Sequence, residues 1–541
     1  MIKITRQTTI LLILGVIFLF IYSYLALSGP EGRFNSPDEA ANYFWLSRVA
    51  QGEELKLVEP LNLESGNMIH SRSDNVNMAG EIVPGSFLGL IVVYGFLAKM
   101  FSIFMVGFFT PILAVLAVFA FYTIIKKIFS INVALISSIL LLIHPAWWYY
   151  TSRGLLPNVL FCSLVIFGFW FLLIVKENKK IWWHIYLKYF SAGLMFGSAL
   201  LVRTSEAIWL VPILVALAIF YRKKVNWLGI VLMIVVMFLL FIPLLNINLQ
   251  IYGGPLLTGY SNLGSSAVVE STNEIVPQSI DKSLILPFGF HPRVALVNSW
   301  NYYIEILWWY FIPLIFGLIL LIKKISAQEW VASKSKWIYL MIFAVVTDWL
   351  VIYYGSWFVK DNISGHATIG TAYLRYWLPA FILALPLVAY LIEKLLLWFK
   401  SRVSRILVGT LIFGLFFTFS VNLVFVSEDG LLNVAKSVKE YQLINSVAIE
   451  SLSPDSIIIS DRDDKKFWPQ FRVVKLMGDW SVFEKSALIL ERAPVYYYSH
   501  NKLTDGNFEL LNNNMSGAGI EMIEYGSLNG EDRLYELKTV K

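Results

Sequence analysis

The chain has 541 residues, 57% of them hydrophobic, 16% aromatic and 15% charged, with a mean hydropathy of +0.65. Soluble domains carry about 25% charged residues, so this composition excludes a soluble enzyme and describes a polytopic membrane protein. The net charge of +6 does not argue for nucleic acid, because most Lys and Arg sit in short clusters between apolar runs; a single cysteine, Cys162, excludes an intrachain disulfide and a cysteine metal cluster.

The N-terminus, MIKITRQ, leads into about 20 apolar residues without a small-residue cleavage site, which is expected of an uncleaved first span. Apolar runs long enough to cross a bilayer fall at about 8–28, 103–125, 130–149, 155–175, 184–202, 206–221, 226–245, 302–322, 337–354, 376–393 and 405–425. About eleven transmembrane helices are therefore expected. With Lys3 and Arg6 cytoplasmic, alternation places Lys126/Lys127, Lys176 to Lys180, Arg222 to Lys224, Lys323/Lys324 and Lys394 to Arg405 on the same side, as the positive-inside rule requires. One more apolar stretch, from Val83 to Phe101, breaks that parity if it crosses, so it reads as a juxtamembrane helix on the outer face. The outer face then holds residues 29 to 82, the turns near Trp148 to Leu155 and Arg203 to Glu206, the segments 246 to 301 and 355 to 375, and the tail.

The tail of about 115 residues is polar enough and long enough for a small domain of its own. SIIIS at 456 to 460 and PVYYYSH at 494 to 500 read as buried strands, and Leu432 to Leu452 has helical spacing. The expected fold class is mainly α: a polytopic membrane helix bundle with interfacial helices in the first outer loop, residues 1–426, followed by a small extracytoplasmic α/β domain, residues 427–541. Asp461, Asp463 and Asp464 follow the first tail strand, where a ligand site can form. With no calcium-loop spacing or phosphate loop nearby, a solvated turn is the preferred reading.

The first outer loop is acidic, with nine Asp/Glu against four Lys/Arg between Glu31 and Glu81. It opens with FNSPDEAANYFWLSR, residues 34 to 48, in which Ser36, Pro37, Asp38 and Glu39 fall at N-cap, N1, N2 and N3 of a helix. One reading is a capping box closed by Glu39, with Asp38 facing the helix dipole. The other is catalytic: a carboxylate near the outer headgroups takes a proton from an incoming hydroxyl, with Glu81 at the far end of the loop lining the site. The two are compatible, because a fixed helix start aims Asp38. A sugar carried on a lipid phosphate suits such a base, since its leaving group is already a stable anion and needs no carboxyl pair. A cation must then hold the phosphate. Arg375, Arg153 and Arg203 stand at outer helix ends, and His291 with Arg293 lies in the external segment FGFHPR; each also reads as a snorkelling anchor. Arg203 and Glu206, three residues apart, are expected to pair locally. Asp348 lies inside an apolar run, where a carboxylate is costly, and it supports the alternative of a polytopic transporter or lipid flippase without covalent chemistry.

SPDEAANYFWLSR after a first span resembles the acidic first-loop motif of the C-fold (GT-C) membrane glycosyltransferases, nearest the protein O-mannosyltransferase and lipid A aminoarabinose transferase branch. AGEIVPGSFLGL, SRGLLPNVLF, GLMFGSALLVRTSEAIWLVP and YLRYWLPAFILALP follow in the family's order over residues 1 to 425. The resemblance implies transfer of a hexosyl or pentosyl group from a polyprenyl or dolichyl phosphate to a protein, lipid or glycan acceptor on the outer face, with inversion. It makes Asp38 the catalytic aspartate, Glu39 its acidic neighbour, Arg375 the arginine near the donor phosphate, and Glu81 part of the lining. Relatives often have an aspartate where this chain has Asn158, which argues against a required divalent metal, although some relatives use one. The oligosaccharyltransferase WWDYG-type signature is absent, and the tail shows no β-trefoil repeat, which favours a prokaryotic enzyme. The expected location is the plasma (inner) membrane, with the N-terminus cytoplasmic and the active site and tail outside. The external segment YGGPLLTGYSN, residues 252 to 262, reads equally as a lid over the site and as a structural loop.

Overall fold

The computed structural model describes residues 6–28, 32–174, 183–261, 286–358 and 366–540. Lys3, the cluster Lys176 to Lys180, and the inner parts of the segments 246–301 and 355–375 lie outside the described residues. By packing the chain divides into two units that alternate along the sequence. One comprises Met1–Leu27, Gly107–Phe241 and Ile275–Asn433, the other Ser28–Val106, Ile242–Glu274 and Val434–Lys541.

The first unit is a bundle of apolar helices, and a helix covers the greater part of each of the eleven apolar runs. Among the described residues seven helices are long and apolar enough to cross a membrane; an eighth span is Ile131–Ile143 with Pro145–Ser152, bent by 49° at His144. Three other runs form the shorter apolar helices Arg6–Tyr22, Pro157–Leu173 and Thr204–Phe220. The protein is an integral membrane protein. Close packing within the bundle depends on small residues, as membrane interfaces require. At Gly317, in the helix Trp308–Ser326, a Cβ would stand 2.0 Å from the carbonyl oxygen of Leu387, in the helix Leu378–Trp398.

The second unit joins the first loop to the tail. The helix Pro37–Gln51 packs on the helix Leu88–Met100, and Gly95 permits the approach, because a Cβ there would meet Val49 at 2.6 Å. Leu88–Met100 has 13 residues, a rise of about 20 Å against the about 30 Å of a hydrocarbon core, so it is too short to cross. Between these helices lies an antiparallel hairpin, β1 (Asp74–Val76) and β2 (Ile82–Pro84).

The tail forms a five-stranded mixed sheet from β3 (Ile457–Ser460), β4 (Arg472–Lys475), β5 (Val495–Ser499), β6 (Ile520–Asn529) and β7 (Asp532–Thr539), in the order β4-β3-β5-β7-β6. β3 is parallel to both its neighbours, while β5–β7 and β7–β6 are antiparallel. The expected strands and the helix Leu431–Ser451 are all present. The core of this sheet domain is not confined to the tail. Leu61, Met68 and Ile69 of the first loop are buried in it, and Ile69 bridges to Val474 of β4. The sequence division at residue 427 follows polarity, whereas the packing crosses it.

Candidate active site

Pro37 at N1, with φ pre-set for a helix and no N–H to satisfy, starts the helix that carries Asp38, and Gly52 ends it in the left-handed conformation at φ 82°. Ser36 is the N-cap, as the sequence implies, yet its side chain makes no capping hydrogen bond. The expected capping box is therefore not formed. Asp38 is half-buried at N2, where the helix dipole favours a carboxylate, and Glu39 beside it is buried. The Ser73 hydroxyl donates to Asp38 Oδ1 at 2.8 Å.

The next residue, Asp74, is buried and accepts from the indole Nε1 of Trp45 at 2.6 Å and from the Ser71 hydroxyl at 2.5 Å. Burial raises its carboxyl to about 7, against the opposing effect of those two donors. His70 donates from Nδ1 to the Ser71 carbonyl at 2.7 Å, and burial lowers its imidazole to about 4, so it is neutral near pH 7. Glu81 sits at the start of β2, where Asn77 Nδ2 at 2.9 Å and Lys56 at 3.1 Å hold its carboxylate below the usual range.

The tail grips the chain just before the helix. Arg33, buried, donates to the carbonyls of Lys466 at 3.0 Å and Trp468 at 3.1 Å and to Gln470 Oε1 at 2.5 Å; burial lowers its guanidinium to about 10. Lys465 Nζ donates to the Asn35 carbonyl at 2.7 Å, the Tyr441 hydroxyl to Asn35 Oδ1 at 3.1 Å, and burial pulls the Lys465 amine down to about 8. Asp464 overturns the solvated-turn expectation: it is 1% exposed and accepts the Arg72 N–H at 2.7 Å, whereas Asp461 is exposed. The segment 252–261 is fastened to the hairpin, with Asn75 Nδ2 donating to the Gly259 carbonyl at 3.0 Å and Tyr252 OH to the Pro84 carbonyl at 2.8 Å. These bonds favour the structural-loop reading of that segment; its last residue, Asn262, lies outside the described residues.

In the helical unit the structure gathers Asn158, Arg203 and Arg375 near Tyr376. Asn158 Nδ2 donates to the Arg375 carbonyl at 3.0 Å, and the Arg375 and Arg203 guanidinium carbons lie 5.1 Å and 4.9 Å from the Tyr376 ring centre. Tyr354 stacks on Tyr376 at 4.4 Å. Arg203 forms the expected ion pair: Nε at 3.0 Å and Nη2 at 2.7 Å both reach Glu206 Oε1, which also accepts from Tyr354 OH, while Trp209 Nε1 donates to Oε2. Arg153 is buried and donates to Tyr149 OH at 2.9 Å. His291 is exposed, against Phe358, at the start of the helix Pro292–Ser299. Asp348 is exposed along the helix Trp330–Gly355.

Among the described residues one set of three carboxylate or imidazole ligands converges, Glu440, His500 and Asp532, within 4.8 Å of one another. Lys466 already brings its ammonium to 4.0 Å from Asp532 Oδ1, so a divalent cation fits poorly there, and neither Asp38 nor Glu81 belongs to the set. Ser73, Asp74, Trp45 and Arg33 escaped sequence reasoning, since no spacing links them.

Residues 87–247 match a family model described as dolichyl-phosphate-mannose-protein mannosyltransferase. No curated protein sequence matches the chain. The structure is similar to that of ArnT from Cupriavidus metallidurans bound to undecaprenyl phosphate, at 10% identity and TM-score 0.57, covering 97% of both chains. It is also similar to the archaeal oligosaccharyltransferase AglB from Archaeoglobus fulgidus in complex with an inhibitory peptide and a dolichol-phosphate, at 10% identity and TM-score 0.54, covering 98% of this chain and 74% of that one. The fold is that of the GT-C membrane glycosyltransferases.

Proposed function

We propose that this protein is an inverting glycosyltransferase that moves a sugar from a polyprenyl or dolichyl phosphate to a protein, lipid or glycan acceptor on the outer face of the plasma (inner) membrane. The observation that carries the reading is Asp38: a half-exposed carboxylate at a helix N-terminus, oriented by Ser73, in a chain with the GT-C fold. Asp38 takes the proton of the acceptor hydroxyl. The acceptor oxygen forms its bond to the anomeric carbon as the bond from that carbon to the phosphate oxygen breaks on the opposite face. The lipid phosphate leaves as an anion, and a single displacement inverts the centre. Glu39, buried, supports the helix start rather than the proton transfer.

Arg375 is the proposed ligand of the donor phosphate, with Arg153 second, because a planar guanidinium offers paired donors to phosphate oxygens. Arg203 is neutralised by Glu206 and contributes by fixing Tyr376. Asn158 holds the Arg375 backbone, which suits an amide at that position. Residues 1–426 carry the transfer in this reading. The extracytoplasmic tail and long outer loops choose the acceptor, and the N-terminus is cytoplasmic.

The test is transfer from a polyprenyl-phosphate sugar by membranes carrying Asp38→Asn. Loss of transfer is expected; a wild-type rate refutes the assignment. Movement of a lipid-linked sugar across proteoliposomes without covalent transfer supports the transporter alternative instead.

A further inference from the structure

The hairpin touches the Pro37–Gln51 helix at three places along one face. Ser73 bonds Asp38, the Ser86 hydroxyl donates to Asn42 Oδ1 at 3.2 Å, and Asp74 accepts from Trp45. Asp38, Asn42 and Trp45 are spaced i, i+4 and i+7. Seven residues at 100° each fall about 20° short of two full turns, so all three side chains share a face over about 10 Å of axis. The hairpin therefore governs both the rotation of the helix and its position along the axis.

The hairpin is itself fixed at this point. Gly85 N–H donates to the Ser73 carbonyl at 3.2 Å, and a Cβ on Gly85 would lie 2.4 Å from that oxygen, so only glycine lets the backbones come this close. A buried carboxylate costs free energy unless donors satisfy it. The donors here are the Trp45 indole and the Ser71 hydroxyl, which join the catalytic helix to the segment that carries Ser73.

We propose that Asp74 is a positioning residue for the transfer: by holding Trp45 and Ser71 together it fixes the helix face that bears Asp38, while its neighbour Ser73 orients the Asp38 carboxylate directly. The inference rests on Asp38 acting as the base. Ionised, Asp74 accepts at both oxygens; protonated, one oxygen becomes a hydroxyl and its grip on one of the two donors weakens. The other titratable or charged groups around Asp74 are Asp464 and Lys475, which act on its carboxyl, Tyr252, and His70, which meets its backbone. His70 stays neutral near pH 7, and burial raises Asp464. The sign follows: Asp74 is raised to about 7, so its grip is complete above that pH and weakens as pH falls through it.

The experiment compares wild type, Asp74→Asn, Ser73→Ala and Ser73→Thr in detergent or nanodiscs, using a polyprenyl-phosphate sugar donor from pH 5.5 to 8.5. Asp74→Asn is expected to lower kcat about tenfold to a hundredfold with donor KM unchanged, the cost of a misplaced reacting group, and to remove the fall in rate below about pH 7. Ser73→Ala lowers kcat by a similar factor and Ser73→Thr, which keeps the hydroxyl, restores most of it. An Asp74→Asn enzyme with wild-type kcat and an unchanged acid limb overturns the positioning role. If that variant does not fold, the Ser73 pair decides, and equal kcat for Ser73→Ala and wild type overturns the role. An active Asp38→Asn enzyme instead overturns the assignment of the base, so the two failures are distinguishable.

Discussion

The two polar centres of this protein are built by opposite means. Arg203 meets Glu206 three residues away, within one helical turn, and Tyr354, from 148 residues further on, completes the pair. Around Asp38 the order is reversed. Its helix supplies the carboxylate, but the group that orients it, Ser73, is 35 residues distant, and Arg33, just before the helix, is anchored at Lys466, Trp468 and Gln470, more than 430 residues from it. A local ion pair neutralises a charge and stabilises a helix end. A network drawn from three segments instead makes the direction of a carboxylate depend on the folding of the whole unit.

Substitutions that separate direction from stability test this contrast. The largest effect is expected at Asp38: Asn in its place removes the base and lowers kcat by about a hundredfold to ten-thousandfold, measured as sugar transfer, with the melting temperature unchanged. Arg203→Met should do the reverse. It leaves Glu206 buried without its partner, at a cost of about 3–5 kcal/mol, seen as a fall in thermal stability in detergent that Arg203→Met/Glu206→Met largely recovers. Arg375→Met is expected to raise the donor KM about tenfold to a hundredfold, from the loss of a charged hydrogen bond to phosphate, with a smaller change in kcat. Last comes Arg33→Met, which unties the tail from the entry to the Pro37 helix. A loss of about 1–3 kcal/mol is expected, measured by thermal unfolding and by faster proteolysis of the tail, with a partial fall in kcat. A loss of kcat in Arg203→Met greater than its loss of folded protein explains would break the comparison.

The pattern of residues determined a good deal alone. Run length locates the helices, because crossing a bilayer demands about 20 apolar residues. Ser-Pro-Asp-Glu marks the start of the Pro37–Gln51 helix, since proline pre-sets its own backbone torsion. SIIIS and PVYYYSH announce two of the five tail strands, β3 and β5. The Arg203–Glu206 pair was legible for the same reason: its partners are neighbours on one helical turn. What only the tertiary structure decided is the set of contacts that hold Asp38 and its helix from afar. Ser73 and Asp74 look like ordinary loop residues, Asp464 looks like a solvated turn, and Arg33 and Lys465 look like charges near a membrane. Their roles come from hydrogen bonds and burial between segments far apart in the chain, which leave no periodicity for a sequence to display. The FNSPDEAANYFWLSR stretch thus specified a helix and a carboxylate at its start. The segment carrying Ser73 decided which way that carboxylate is held, and the tail fixed the chain just before it.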